Sequence, residues 1–269
     1  MYFFLLFYRM MLSKSRNLVA LITGGASGLG KGCAEQLLKM GSKIVLMDLP
    51  TSSGAEVAES LHKTDVVFSP GDVASESDVS KTLEFCRQKF GKLDAVVNCA
   101  AIGIAFTIYN NTKKKPHPLE PFENVFRVNV LGTFNVIRQS IGMMLEKELA
   151  EDEERGVIII TSSTAAFDGQ QGQAVYAACC GALNSMTLPL ARDCSRHRIR
   201  VVTIAPGLFN TPLTSFLPEK VRQFFGRLTP YPHRFGEPVE FGHLVKSVIE
   251  NPMINGEVIR IDGGLRMPP

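Results

Sequence analysis

Seven short apolar runs recur along this chain of 269 residues, separated by longer segments in which apolar residues have helical spacing. The runs cover residues 18–23, 43–48, 65–69, 93–98, 157–162, 200–205 and 258–261. Most read as continuous stretches of Val, Ile and Leu, which is typical of strands buried on both faces of a parallel sheet. The pattern predicts a Rossmann-type, doubly wound α/β fold with seven parallel strands and helices on both faces.

One domain accounts for this pattern. The sequence contains no internal repeat and no low-complexity linker, and α/β folds of this length often form a single domain. We therefore expect one domain over residues 18–269, preceded by an extension or targeting segment over residues 1–17. Residues 107–121 and 146–155 interrupt the alternation and are expected to be surface insertions. The lysines at 113–115 fit a solvated loop or a contact with an anionic group such as a phosphate.

The N-terminal residues 1–12 are almost wholly apolar, but they are too short for the roughly 20 residues that a membrane span needs. We therefore predict no membrane span. Basic residues at positions 9, 14 and 16, with no acidic residue before Glu35, favour mitochondrial targeting. The alternative is an extension outside the fold of a cytoplasmic protein, with initiation at Met10 or Met11.

Charge and cysteine usage narrow the class of ligand. The formal net charge is only +3, so a small molecule is a better expectation than nucleic acid. The six cysteines have no repeated spacing, and the five histidines lack a metal-ligand spacing. We predict neither a disulfide framework nor a metal site, and a reducing compartment fits best.

A glycine-rich turn with the sequence T-G-G-A-S-G-L-G follows the first predicted strand at residues 23–30 and opens a helical pattern. Glycines there allow the backbone to approach a pyrophosphate, which helix N-terminal amides then bind. The predicted contacts are Gly24, Ser27, Gly28, Leu29 and Gly30. The second strand ends in Asp48, whose carboxylate can accept hydrogen bonds from ribose hydroxyls and would repel a 2′-phosphate. These features predict NAD as the cofactor rather than NADP.

The spacing of Gly24, Gly28 and Gly30 resembles the fingerprint of the short-chain dehydrogenase/reductase family, and the resemblance extends over almost the whole chain. It implies a pair of residues that binds adenine and a loop that holds the nicotinamide carboxamide. It also implies counterparts of the family's N-x-A-G element, which ends here in alanine, and of the helix asparagine in the family's catalytic tetrad. The matching positions are Asp72 and Val73 for adenine, Pro206, Gly207 and Thr211 for the carboxamide, Asn98, Cys99 and Ala100 for the N-x-A-G element, and Asn129 for the tetrad.

The catalytic positions contain one departure from the family. Ser163 can hydrogen-bond a substrate oxygen while Tyr176 takes the proton during hydride transfer. Family members carry a lysine four residues after the tyrosine, where this chain has Cys180. A positive charge about 4 to 6 Å away would lower the tyrosine pKa by roughly two units or more from its usual ~10. Because residues 163–191 contain no Lys or Arg, we expect impaired proton transfer.

Within the family, residues 107–121, 132–138, 205–209 and 256–260 resemble the mitochondrial type 2 3-hydroxyacyl-CoA dehydrogenases. That resemblance implies NAD-linked oxidation of the secondary alcohol of a 3-hydroxyacyl-CoA or a hydroxysteroid, in a homotetramer. The alternative is a catalytically dead NAD-binding protein that acts as a scaffold or as a subunit of an assembly.

Two further segments have competing interpretations. Cys179 and Cys180 are more simply core residues than a nucleophile or redox pair, because no cation is near them in sequence to lower a thiol pKa. Residues 208–232 are rich in Leu, Phe and Pro and fit either a mobile lid over the substrate or a surface between subunits.

Overall fold

The computed structural model of the chain describes residues 17–150 and 153–268. The extension or targeting segment expected over residues 1–17 lies outside the described residues, apart from Asn17.

A parallel sheet of seven strands organises the fold, as predicted. The strands are β1 (Val19–Thr23), β2 (Lys43–Asp48), β3 (Val66–Pro70), β4 (Ala95–Asn98), β5 (Gly156–Thr161), β6 (Ile199–Pro206) and β7 (Val258–Ile261). Their order across the sheet is β3-β2-β1-β4-β5-β6-β7, and every neighbouring pair is parallel. The chain therefore reverses its direction of travel between β1 and β4. In such sheets the crevice at that point, at the carboxyl ends of the strands, is where ligands bind.

Helices cover both faces of the sheet. They are α1 (Gly28–Lys39), α2 (Gly54–Leu61), α3 (Glu76–Phe90), α4 (Leu119–Phe126), a π-helix (Arg127–Gly132), α5 (Thr133–Leu145), α6 (Ala165–Asp168), α7 (Ala174–Ser195), α8 (Pro212–Ser215), α9 (Glu219–Leu228) and α10 (Pro238–Glu250). One core layer joins the sheet to α1, α2 and α10, and the other joins it to α3, α5 and α7. Alternate residues of β1 face opposite core layers. Helices therefore cover both faces of the sheet, as in a doubly wound fold.

Helices α1 and α10 cross in close contact because glycines face each other. A Cβ added at Gly32 would collide with the backbone of Pro238, and one added at Gly242 would lie 2.5 Å from the carbonyl oxygen of Gly32. Any larger residue at either position would push the two helices apart. This crossing fixes α1, and with it the glycine turn that precedes the helix.

The first predicted insertion lies at the surface, and the described residues of the second, 146–150 and 153–155, are exposed or half-buried. Residues 107–116 are exposed, and they contain a short antiparallel hairpin between Tyr109–Asn110 and Lys115–Pro116. The rest of the first insertion is not a loop throughout, because α4 begins at Leu119. The exposure of the three lysines agrees with the interpretation of this segment as solvated.

Helix α7 is the one described helix long and apolar enough, by composition, to cross a membrane. Its buried residues, among them Leu183 and Ala191, pack in the second core layer against the sheet. The apolar composition of α7 therefore reflects its place in the α/β core.

Candidate active site

The glycine turn between β1 and α1 is shaped for close approach. Gly24 has a φ of +64°, and a Cβ there would lie 2.8 Å from the amide nitrogen of Ala100. A Cβ at Gly30 would collide with the carbonyl of Gly24. The turn can therefore accept only glycine at these positions without moving its neighbours.

The N-terminus of α1 suits an anion. Ser27 occupies the N-cap without making a side-chain cap, and the first turn of this helix contains no acidic residue. Its amide groups and the positive end of its dipole thus face the cleft without an internal partner. Together with the space left by Gly24, this arrangement fits the pyrophosphate of a dinucleotide.

Asp48 stands at the carboxyl end of β2. One carboxylate oxygen accepts a hydrogen bond from the Ala26 amide at 3.0 Å, and the other accepts one from the Leu49 amide at 2.8 Å. These contacts tie the carboxylate to the glycine turn and fix its orientation. Its remaining lone pairs can accept hydrogen bonds from a ribose.

Asp72 follows β3 and forms an ion pair that the sequence analysis missed. Its carboxylate lies 3.0 Å from the Arg127 guanidinium, and its other oxygen accepts a hydrogen bond from the Ala74 amide at 2.9 Å. Arg127 opens the π-helix and lines the cleft. We call the region of Asp48, Asp72 and Arg127 the carboxylate end of the cleft.

Ser163 and Tyr176 meet beyond the carboxyl end of β5. The Ser163 hydroxyl oxygen accepts a hydrogen bond from the Ala165 amide at 3.1 Å, and both Ser163 and Tyr176 line the cleft. Helix α7 brings Tyr176 into the cleft and sets Cys180 one turn further on. We call the region of Ser163, Tyr176 and Cys180 the tyrosine end.

The thiol of Cys180 lies against the phenol. Cys180 lines the cleft beside Tyr176, and its carbonyl accepts a hydrogen bond from the Ser162 hydroxyl at 3.0 Å. Cys180 is 3% exposed, and burial raises the pKa of its thiol to about 12. The thiol is therefore protonated and uncharged at neutral pH.

Desolvation also raises the pKa of Tyr176 well above its usual value, and the Cys180 thiol raises it further. The Ser163 hydroxyl lowers the pKa of Tyr176 but does not offset the rise. At neutral pH the tyrosine end thus holds a neutral phenol beside a neutral thiol. The pair can donate hydrogen bonds, but it is poorly prepared to accept a proton.

Asn129 lies inside the π-helix, and its side chain is bound to backbone on the opposite wall. Its amide donates to the Ile102 carbonyl and accepts from the Ile102 amide, both at 2.9 Å. π-helical turns often occur at functional sites because the extra residue redirects a side chain. Here the turn directs Asn129 toward the loop after β4.

These elements enclose a cleft of about 750 Å³ at the carboxyl ends of the strands. The cofactor and catalytic positions predicted from the sequence that line it are Gly24, Ser27, Gly28, Leu29, Gly30, Asp48, Asp72, Val73, Cys99, Ala100, Asn129, Ser163, Tyr176, Cys180, Pro206, Gly207 and Thr211. Asn98 is not among the lining residues. It is buried below the cleft, where its amide donates to the Ile159 carbonyl at 3.2 Å, so its contacts join β4 to β5.

Charged side chains are few in the cleft. Of the described residues that line it, the charged ones are Asp48, Asp72 and Arg127, and none of them is a lysine. Arg127 is paired with Asp72 at the carboxylate end. Within residues 17–150 and 153–268, no group of three or more His, Cys, Asp or Glu side chains is arranged to hold a metal ion.

Apolar residues that the sequence analysis did not assign form part of the wall. Ile102, Gly103 and Leu213 line the cleft, and a Cβ at Gly103 would lie 2.9 Å from the Leu213 side chain. The apolar composition of 208–232 was the available signal for Leu213. No local pattern marked Ile102, which takes part in the site through its backbone contacts with Asn129.

Comparison with known proteins gives a consistent result. The family profile described as short chain dehydrogenase matches residues 18–222. The chain is 55% identical to the 3-hydroxyacyl-CoA dehydrogenase type-2 of Drosophila melanogaster and 52% identical to that of Homo sapiens. Each alignment covers 94% of this chain, and it covers 99% of the Drosophila relative and 97% of the human one. The crystal structure of 3-hydroxyacyl-CoA dehydrogenase type-2 from Mycobacterium avium is 33% identical and superposes with a TM-score of 0.89, covering 94% of this chain and 97% of that one.

Proposed function

Since the chain belongs to the short-chain dehydrogenase family and is an oxidoreductase similar to the type-2 3-hydroxyacyl-CoA dehydrogenases, we propose that it is an NAD-binding enzyme with an impaired proton-transfer step. The proposed substrate is the secondary alcohol of a 3-hydroxyacyl-CoA or a hydroxysteroid. The observation that carries this proposal is the Cys180 thiol against the Tyr176 phenol, in a cleft whose nucleotide-binding features are otherwise intact.

Support for NAD comes from the carboxylate end of the cleft. Asp48 is held by the Ala26 and Leu49 amides in a position to bind ribose hydroxyls. That carboxylate would repel a 2′-phosphate. Arg127, the one cation among the described lining residues, already pairs with Asp72. These contacts favour a cofactor without the 2′-phosphate.

The residues at the tyrosine end define the proposed chemistry. Bound NAD would accept the hydride from the alcohol carbon. Ser163 would hydrogen-bond the alcohol oxygen, and Tyr176 would take the hydroxyl proton. The raised pKa of Tyr176 makes the phenolate scarce at neutral pH, so this proton transfer is slow. The apolar wall of Ile102 and Leu213 suits an apolar substituent on the substrate.

Cys180→Lys tests the proposal, because it places a cation one helical turn from Tyr176. We expect kcat/KM for a short 3-hydroxyacyl-CoA with NAD to rise by about 10²- to 10⁴-fold. Cys180→Met is the matched control, since its side chain has similar length but no charge, and it should give no such gain. NADH binding and circular dichroism check that both variants fold. Equal rates for the Lys variant and the native chain would contradict the proposal.

The second candidate is a catalytically dead NAD-binding protein, favoured by the same raised Tyr176 pKa. Tyr176→Phe separates the two functions. If the native chain oxidises the substrate measurably faster than Tyr176→Phe, Tyr176 still transfers a proton and the chain is an impaired enzyme. Equal residual rates would instead support a binding function. We also propose a homotetramer in mitochondria, which mass measurement and import assays would test.

A further inference from the structure

The two ends of the cleft differ in charge. Asp48 and Asp72 lie at the ends of β2 and β3, on one side of β1, whereas Ser163 follows β5 on the other side. Three strand spacings separate β2 from β5, which corresponds to roughly 14 Å. That distance exceeds the Debye length of about 8 Å at physiological ionic strength. The ionised groups of the carboxylate end therefore influence the tyrosine end only weakly.

The tyrosine end is uncharged among the residues that the structure describes. The Cys180 thiol and the Tyr176 phenol are both protonated at neutral pH, and Ser163 is neutral. By the proposed function, this end would receive the nicotinamide ring, whose oxidised form carries a positive charge and whose reduced form is neutral. The charge of the residue beside the ring therefore determines whether the oxidised form is repelled.

We propose that Cys180 makes this cleft favour the oxidised over the reduced nicotinamide dinucleotide, compared with the same cleft carrying a cation at that position. The inference rests on the proposed NAD binding, but not on turnover. It concerns ligand preference, so it applies whether or not the chain is catalytically active.

Coulomb's law sets the size of the effect. Two unit charges about 5 to 6 Å apart at an effective dielectric of ~20 change a binding constant by roughly 100-fold. Solvent entering the cleft reduces this, so we expect about a tenfold change in the ratio of dissociation constants for NADH and NAD⁺. The neutral Cys180 thiol avoids that repulsion.

The test measures both dissociation constants, for NAD⁺ by calorimetry and for NADH by fluorescence. We expect the ratio Kd(NADH)/Kd(NAD⁺) to be about tenfold higher for the native chain and Cys180→Met than for Cys180→Lys. An unchanged ratio across these three proteins would overturn the inference while leaving NAD binding intact. Failure of the native chain to bind either form would overturn the proposed function as well.

Leu213 provides a second pair of variants in case a buried lysine at position 180 prevents folding. Leu213 is 42% exposed at the cleft wall, so charged replacements are tolerable there. We expect Leu213→Lys to lower the ratio and Leu213→Glu to raise it, each by a few-fold. Equal ratios for these two variants would count against an electrostatic preference in this cleft.

Discussion

At the scale of single residues, the chemistry depends on the neighbours of one phenol. Tyr176 contacts Ser163, which lowers its pKa, and Cys180, which raises it, while desolvation adds the largest increase. Cys180 could be predicted as a neighbour from the sequence, because residues four apart lie on one face of a helix, and Ser163 was predicted from the family resemblance. Their burial could not, since it depends on how α7 packs against the sheet.

The pH dependence of oxidation follows from this environment. In the proposed mechanism only the phenolate of Tyr176 accepts the proton, and the pKa of Tyr176 is raised well above the usual value. We therefore expect kcat/KM of the native chain to rise by roughly tenfold per pH unit from pH 7 to 10 without a plateau. Cys180→Lys should level off at a lower pH, because the ammonium stabilises the phenolate. Steady-state profiles of both proteins test this, and a native plateau below pH 8 would contradict it.

At the scale of elements, strand positions were predictable and tertiary pairings were not. Continuous apolar runs located all seven strands to within a few residues, because buried parallel strands require such runs. The Arg127–Asp72 pair joins residues 55 positions apart, and neither residue carries a local signal for the other. Asn98 matches a family motif, but its side-chain amide bonds to the neighbouring strand β5 and does not face the cleft.

The crossing of α1 and α10 allows a stability prediction. Gly32→Ala forces a Cβ into the Pro238 backbone and should destabilise the fold by about 1 to 3 kcal/mol. Gly142→Ala in α5 is the control, since a Cβ there meets no heavy atom within 4 Å among the described residues. Alanine is also the better helix former, so this control should be neutral or more stable by up to about 1 kcal/mol. Denaturant unfolding measures both, and equal midpoints would refute the close packing.

At the scale of the whole molecule, exposed apolar side chains support self-association. Leu131 is 55% exposed on the π-helix, Phe134 is 43% exposed on α5, and Leu188 is 44% exposed on α7. The π-helix packs against α5 and α7, so these elements are neighbours. Contiguous exposed apolar surface often marks an interface, so we propose that these side chains take part in subunit contacts.

Light scattering after gel filtration tests the proposed homotetramer. The native chain should elute with the mass of four chains, and Leu188→Glu should shift it to a smaller assembly because a charge would be buried. Met253→Glu, at a position that is 87% exposed on a different part of the chain, is the control and should leave the mass unchanged. A monomeric native chain would contradict the proposal.

The reversal of strand order between β1 and β4 has an evolutionary consequence. The glycine turn, Asp48 and Asp72 all come from the first 75 residues, whereas Ser163, Tyr176 and Cys180 come after β5 begins. The carboxylate end and the tyrosine end of the cleft are thus encoded in separate stretches of the gene, which selection can act on independently. When one residue of the second stretch is exchanged, the proposed cofactor binding can persist while the catalytic rate changes. Selection can then act on cofactor binding alone.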